Sequence, residues 1–246
     1  MRDSMEIFGD AVRDYHQGKD PVVKIIRDDG YVDDDNTEGY FRSYEEFDSF
    51  EKKALEHVKG KVLDVGCGPG RMALHLQEKG FEVTGIDCSE TILEVVKDRG
   101  LKDCRLMDAR EMSFEVGDFD TVLMMGNNFG IGGNKKTTRK ILKDLRKFTS
   151  SEGRILAHSI VPGASMPQHR PYLQWNLERG RDIGQITLVF EYKGETGAPF
   201  DLLLVSPIEM MELCQGTGWQ LKDVFLGDPE RGDYIALLEK TQPSSD

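Results

Sequence analysis

Val62-Leu63-Asp64-Val65-Gly66-Cys67-Gly68-Pro69-Gly70 is the stretch on which the fold turns. Four residues of strand character run into a bend with glycine at every second position, and helical spacing follows at once from Met72 to Glu78. Glycine lets the backbone bend sharply and lets a ligand come close where a Cβ would collide. The helix that follows offers N–H groups with no partner in its first turn. A tight strand-to-helix turn without a ligand has the same outline, so the acids downstream must separate the two readings.

Outward from this bend, short apolar strands alternate with helical segments. Phe81 to Ile86 reads as a strand, Thr91 to Asp98 as a helix and Cys104 to Met107 as a weaker strand. Phe119 to Met125 is a strong strand, Lys135 to Phe148 a helix and Arg154 to Ile160 a strand. This alternation with short joins predicts a parallel sheet covered on both faces. After Ile160 the rhythm breaks, and Pro162, Gly163, Pro167 and Pro171 predict a loop over 161–173. Two β-rich runs follow, Gln185 to Tyr192 and Phe200 to Val205. A helix then starts at Ser206-Pro207-Ile208-Glu209, with Ser206 as cap and Pro207 in the first turn. Gln220 to Leu226 and Tyr234 to Leu238, joined by a turn-rich segment, read as an antiparallel pair closing the sheet.

Residues 1–60 read as helical and acidic. Asp28-Asp29-Gly30 and Asp33-Asp34-Asp35-Asn36 mark a polar loop, and a second helical stretch runs from about Ser43 to Val58. The expected organisation is an N-terminal helical lid (1–60), a ligand-binding core (61–160), an inserted cap (161–205) and a C-terminal completion of the core (206–246). The lid and the cap are long for plain connections, which usually take only a few residues.

Composition sets limits on partners. The chain has 246 residues, 38% of them hydrophobic and 31% charged, with a formal net charge of -12. Mean hydropathy is -0.47. A polyanion is repelled on average, so nucleic acid is not the expected partner. The basic residues of 135–147 fall on one side of a helix whose other side carries Ile141, Leu142, Leu145 and Phe148, the pattern of a solvated face. No apolar run reaches the ~18 residues of a membrane span, and Met1 to Glu6 lacks the apolar stretch of a signal peptide. Four scattered cysteines form no Cys-x-x-Cys pair, which predicts no metal site and a reducing, cytoplasmic setting. Cys67, inside the glycine bend, is a small side chain in a crowded turn rather than a nucleophile.

Two acids follow the bend at informative distances. Asp87, in Gly85-Ile86-Asp87-Cys88-Ser89, ends the second strand at the distance where an acid meets ribose hydroxyls in this architecture. A carboxylate can accept both protons of two adjacent hydroxyls. Capping the next helix is its plain alternative, a task Ser89 can also perform. Asp108 follows the third strand and taken alone reads as a solvated strand-end acid or a cap. A dinucleotide fingerprint, Gly-x-Gly-x-x-Gly, fails from Gly66, where Arg71 holds the last place. From Gly68 it is met only in the permissive form ending at Ala73. No P-loop is present.

Together these residues resemble the Rossmann-like, class I S-adenosylmethionine-dependent methyltransferases of the small-molecule type, well over about residues 55–160 and more loosely towards the end. The resemblance implies an α/β fold: a seven-stranded, mostly parallel sheet with an antiparallel last strand, helices on both faces, an N-terminal helical segment and an inserted β-rich cap. It implies that Asp64, Gly66, Cys67, Gly68 and Gly70 approach the methionine part of S-adenosylmethionine. It places Asp87 on the ribose, Cys88 beside the adenine, Asp108 and Ala109 at the adenine edge, and Met125 and Gly126 at the amino-acid end. The fourth strand ends Met124-Met125-Gly126-Asn127-Asn128-Phe129 and lacks the Asp/Asn-Pro-Pro-Tyr/Phe signature of enzymes that methylate amide or exocyclic nitrogens. Asn127 and Asn128 are open between touching a substrate and satisfying loop backbone groups.

The expected activity is methyl transfer to a small-molecule acceptor, with no nucleic acid or membrane as partner. A non-catalytic S-adenosylmethionine-binding module and an NAD(P)-dependent oxidoreductase remain as alternatives. A histidine or carboxylate is the expected base where the acceptor must lose a proton, and the candidates where the acceptor pocket should lie are Tyr15, His16, Tyr40, His158, His169 and Trp175, none of them singled out by the sequence.

Overall fold

The computed structural model describes residues 1–163 and 169–241. Pro167, one of the predicted loop residues, lies outside them. The chain builds two sheets. The first elements are helix α1 (Ser4–His16), strands β1 (Val23–Arg27) and β2 (Val32–Asp35), and helix α2 (Ser49–Leu55). The alternating region gives β3 (Val62–Val65), α3 (Arg71–Glu78), β4 (Val83–Asp87), α4 (Glu90–Asp98), β5 (Asp103–Leu106), β6 (Phe119–Met124), α5 (Lys135–Phe148) and β7 (Thr149–Ile160). Then come α6 (Arg170–Glu178), β8 (Gln185–Tyr192), β9 (Glu195–Thr196), β10 (Phe200–Leu203), α7 (Pro207–Cys214), β11 (Trp219–Leu226) and β12 (Asp233–Lys240).

Seven strands form the main sheet in the order β11-β12-β7-β6-β3-β4-β5. From β7 to β5 all neighbours are parallel, and β12 runs antiparallel to both β7 and β11. The predicted Rossmann-like sheet is therefore present. Its strands are apolar on both faces because both are covered. Leu63, Val65, Val122, Met124, Ile155 and Ala157 pack with Ile141, Leu142 and Leu145 of α5 and Met210 and Leu213 of α7. The residues between them, Val62, Leu123 and Leu156, pack on the opposite face with Ala54 of α2, Met72 and Leu76 of α3 and Leu93 of α4. That period of two is the alternation of side chains along a strand.

The N-terminal segment departs from the sequence reading. It is not helical throughout: β1 and β2 form an antiparallel hairpin, and β1 also pairs with β8 in the second sheet, β10-β8-β1-β2 with β9 beside β8. Asp28-Asp29-Gly30 is the turn of this hairpin. Gly30 N–H donates to Arg27 O (2.8 Å) and Arg27 N–H to Tyr31 O (2.9 Å). Gly30 takes the left-handed φ of +88° that such a three-residue loop requires. Beyond the hairpin, β1 is also tied to a distant strand, as in the Lys24–Glu191 pair at 3.3 Å, 167 positions apart.

Ser43–Val58 is also not one helix. A 3-10 turn at Tyr44–Glu46 and helix α2 each start with their own capping box, Ser43 with Glu46 and Asp48 with Glu51. Phe47 between them is extended. The loop predicted to 173 ends earlier, because Pro171 occupies the first turn of α6, where its missing N–H is harmless. Strands β8, β9 and β10 and the N-terminal hairpin thus share one sheet. Helix α1 packs between that sheet and α4 through Phe8, Ala11, Val12, Val23, Ile92 and Val95. Among the described residues, no helix is long and apolar enough to cross a membrane.

Candidate functional site

Along one edge of the main sheet, the C-terminal tips of β5, β4, β3, β6 and β7 stand side by side in that order. The segments leaving these tips gather the residues singled out by sequence. Asp108 leaves β5, Asp87 and Cys88 end β4, and the glycine bend leaves β3. Met125, Gly126 and Asn127 leave β6, and His158 lies near the end of β7.

The bend is held by backbone bonds. The N–H groups of Gly66 and Cys67 both donate to Ile86 O at 2.9 Å. Gly66, Gly68 and Gly70 all have left-handed φ values, of +70°, +55° and +89°. A Cβ on Gly66 would meet the Asn128 amide at 2.4 Å, and one on Gly70 would meet Val96 at 2.5 Å. A Cβ on Gly68 would meet nothing within 4 Å, so its missing side chain faces open space. The Cys67 side chain packs into the core beside Gly85, and burial holds its thiol protonated; only its backbone reaches the cleft.

Asp87 ties the bend to β4. Its Oδ2 accepts from Gly68 N–H and its Oδ1 from Ser89 N–H, both at 3.0 Å, while Ser89 itself caps α4. Each Asp87 oxygen keeps a further lone pair. Burial pushes its carboxyl up to about 6, against the pull of those backbone donors. Asp64, buried at the end of β3, is pushed up to about 7 by burial. Arg71 pulls it down and Asp87 adds to the rise. Two buried carboxyl groups on neighbouring strand tips form a site that favours a positive or hydroxyl-donating ligand.

Two further side chains, Tyr40 and Cys88, are accessible at the surface. Tyr40 keeps 36% of its surface accessible, yet burial pushes its phenol well up. Cys88 is exposed, yet burial raises its thiol to about 12, helped by Asp87, Asp3 and Asp108. Tyr40 donates its hydroxyl to Asp35 Oδ2 (3.0 Å) and packs edge-on to Phe8. The first turn of α1 closes the Cys88 side: Glu6 accepts from Glu90 N–H (2.7 Å) and Thr91 Oγ1 (2.8 Å) at the N-terminus of α4. Asp108 accepts from the backbone and guanidinium of Arg110, which holds its carboxyl below the usual range. Ala109 is buried beneath it.

The asparagine pair divides its roles. The Asn128 amide donates to Val65 O (2.9 Å) and Gly66 O (3.0 Å), satisfying the loop backbone. Asn127 has φ +69° and donates its N–H to His158 Nδ1 (2.9 Å). Its buried Oδ1 has no hydrogen-bond partner among the described residues.

Of the candidate bases, the structure brings only Tyr40 and His158 towards the cleft. Tyr15 packs on Phe41, His16 pairs with Asp98, His169 contacts Arg27, and Trp175 lies under the Arg179 guanidinium. Burial lowers His158 to about 4. Because its Nδ1 accepts the Asn127 N–H, the neutral ring carries its proton on Nε2. At Nε2 it is a donor rather than a base.

Residues 62–153 match the family model described as a methyltransferase domain. A crystal structure of an S-adenosylmethionine-dependent methyltransferase from Bacteroides fragilis, in complex with S-adenosyl-L-homocysteine, superposes with a TM-score of 0.81. It is 27% identical, over 98% of each chain. The chain has the Rossmann-like fold of that S-adenosylmethionine-dependent methyltransferase, and its residues 62–153 are similar to a methyltransferase domain. It is 32% identical over 102 residues to the methyltransferase YqeM of Bacillus subtilis, covering 40% of this chain and 41% of the relative. It is 26% identical over 166 residues to the glycine/sarcosine N-methyltransferase of Aphanothece halophytica, covering 61% of each. The chain thus spans roughly two to three fifths of the length of these curated relatives.

Sequence reasoning passed over Arg71 and Glu51. Arg71 stood out only as too bulky for a dinucleotide fingerprint; its side chain instead turns aside to pair with Glu51 Oε1 at 2.8 Å. The Asp48–Glu51 capping pattern was the one available signal for Glu51.

Proposed function

We propose that this protein transfers the methyl group of S-adenosylmethionine to a small-molecule acceptor. The observation that carries the reading is Asp87, a buried carboxylate braced by Gly68 and Ser89 N–H groups, facing the same recess as the side-chain-free position at Gly68. The residues present fit the cofactor. Asp87 offers its free lone pairs to two ribose hydroxyls. Cys88, Asp108 and Ala109 border the space beyond β4 for the adenine. Asp64, the backbone of Gly66 to Gly70, and the segment Met125–Asn127 border the methionine end, where the lone Asn127 Oδ1 suits an ammonium.

Bound there, the cofactor supplies a methyl group already activated by a sulfonium. The protein's share is then chiefly alignment and exclusion of water, which can account for much of the acceleration. Tyr40 can hold a proton on its hydroxyl against Asp35, and His158 can donate from Nε2. The sheet shared by the N-terminal hairpin and residues 185–203 covers the acceptor side. The surplus of negative charge speaks for a small acceptor over a polyanion. The Aphanothece halophytica relative is named for glycine and sarcosine, both small acceptors.

The test uses S-adenosylmethionine labelled in its methyl carbon with a panel of small amines, carboxylic acids and phenols. One class should take up label in step with S-adenosylhomocysteine formation. Label that stays in the donor across the panel speaks against transfer.

A further inference from the structure

Arg71 is the first residue of α3, directly after the glycine bend. Its guanidinium is fixed on two sides. Nη2 pairs with Glu51 Oε1 at 2.8 Å, and the plane lies over the Phe47 ring, 4.8 Å from its centroid. Glu51 is itself held, accepting Asp48 N–H at 3.0 Å in the α2 capping box. The side chain is 16% exposed. Nη1 is buried without a hydrogen-bond partner among the described residues. A buried guanidinium N–H without an acceptor is unfavourable, and an arginine oriented in advance with one free donor is an anion receptor.

Strand order says which anion. A nucleoside with its sugar on Asp87 and its base towards Asp108 lies over the tips of β4 and β5. Its remaining arm must then run the other way, over β3 towards β6. Arg71 and Asp64 stand on that side, and so does Asn127 with its unpartnered acceptor. An unpartnered donor after β3 and an unpartnered acceptor after β6 complement an α-amino acid in both its charges.

We propose that Arg71 Nη1 receives the α-carboxylate of the cofactor's methionine moiety, with Glu51 and Phe47 as positioning residues. This rests on the S-adenosylmethionine reading above. The arginine selects the amino-acid arm and contributes nothing to the nucleoside.

Calorimetric titration of the full chain with S-adenosylhomocysteine and with 5′-methylthioadenosine, which lacks the amino-acid arm, tests this. Arg71→Met should weaken S-adenosylhomocysteine by roughly 10- to 100-fold, the range expected for one charged hydrogen bond. It should leave 5′-methylthioadenosine within about twofold. Arg71→Lys, which keeps the charge and loses the fixed geometry, should fall between. Equal losses for both ligands, or no loss for either in both variants, overturn the assignment. Wild-type protein that binds neither nucleoside removes the cofactor reading itself.

Discussion

Asp64 and Asp87 hold protons that the unfolded chain would release. Their carboxyls stand at about 7 and about 6 in the folded protein, above the 3.8 of a free aspartate. The folded state therefore binds more protons between roughly pH 4 and 7, and its stability falls as pH rises through that window. Above it, both groups carry charge in poor solvation and the loss persists. Asp64→Asn should accordingly stabilise the ligand-free protein at pH 8 by about 1–4 kcal/mol and give little at pH 3.5. Urea unfolding at the two pH values measures this, and an Asp64→Asn protein no more stable than wild type at pH 8 contradicts it. At this scale the sequence was partly legible. The position of Asp87 follows from spacing along the chain, because a strand and its following helix have predictable lengths. Arg71 was not legible, since its orientation depends on Glu51 and Phe47, which arrive from a separate helix and a separate bend.

The elements that carry the site are joined by close backbone contacts. Gly130, just after β6, is packed against β10: a Cβ there would meet Leu203 O at 1.7 Å. Gly130→Ala should force the two segments apart and destabilise the protein by roughly 1–3 kcal/mol or more. Gly39→Ala, where a Cβ meets nothing within 4 Å, should change stability by less than about 0.5 kcal/mol. Denaturant midpoints for the two variants compare them directly, and equal midpoints contradict the packing described. The alternating strands and helices of 61–160 could be read in advance because each buries its own apolar run and ends in its own glycine or cap. The β1–β2 hairpin could not. Lys24, Arg27 and Asp33 to Asp35 mask its alternation, and its partner β8 lies far along the chain. Without that partner, Asp28-Asp29-Gly30 reads equally well as a loop between helices.

Taken whole, the molecule is a parallel sheet whose strand tips form one side of a cleft, roofed by a second sheet and by α1. The second sheet is built from two segments far apart in the chain, so it exists only when residues 23–35 and 185–203 have come together. Helix α1 links the two halves, with Ser4 Oγ on Ala198 O at 2.6 Å and Glu6 on the N-terminus of α4. A ligand gripped in that cleft stabilises the folded chain as a unit, since the unfolded chain has no such cleft. The central claim is that the recess beside Asp87 holds the nucleoside of S-adenosylmethionine. Calorimetric titration with S-adenosylhomocysteine at neutral pH tests it most directly, on wild type and Asp87→Ala side by side. The account predicts saturable one-to-one binding by wild type and affinity at least about tenfold weaker without the carboxylate. Equal affinities for the two proteins, or no binding by wild type, would contradict it.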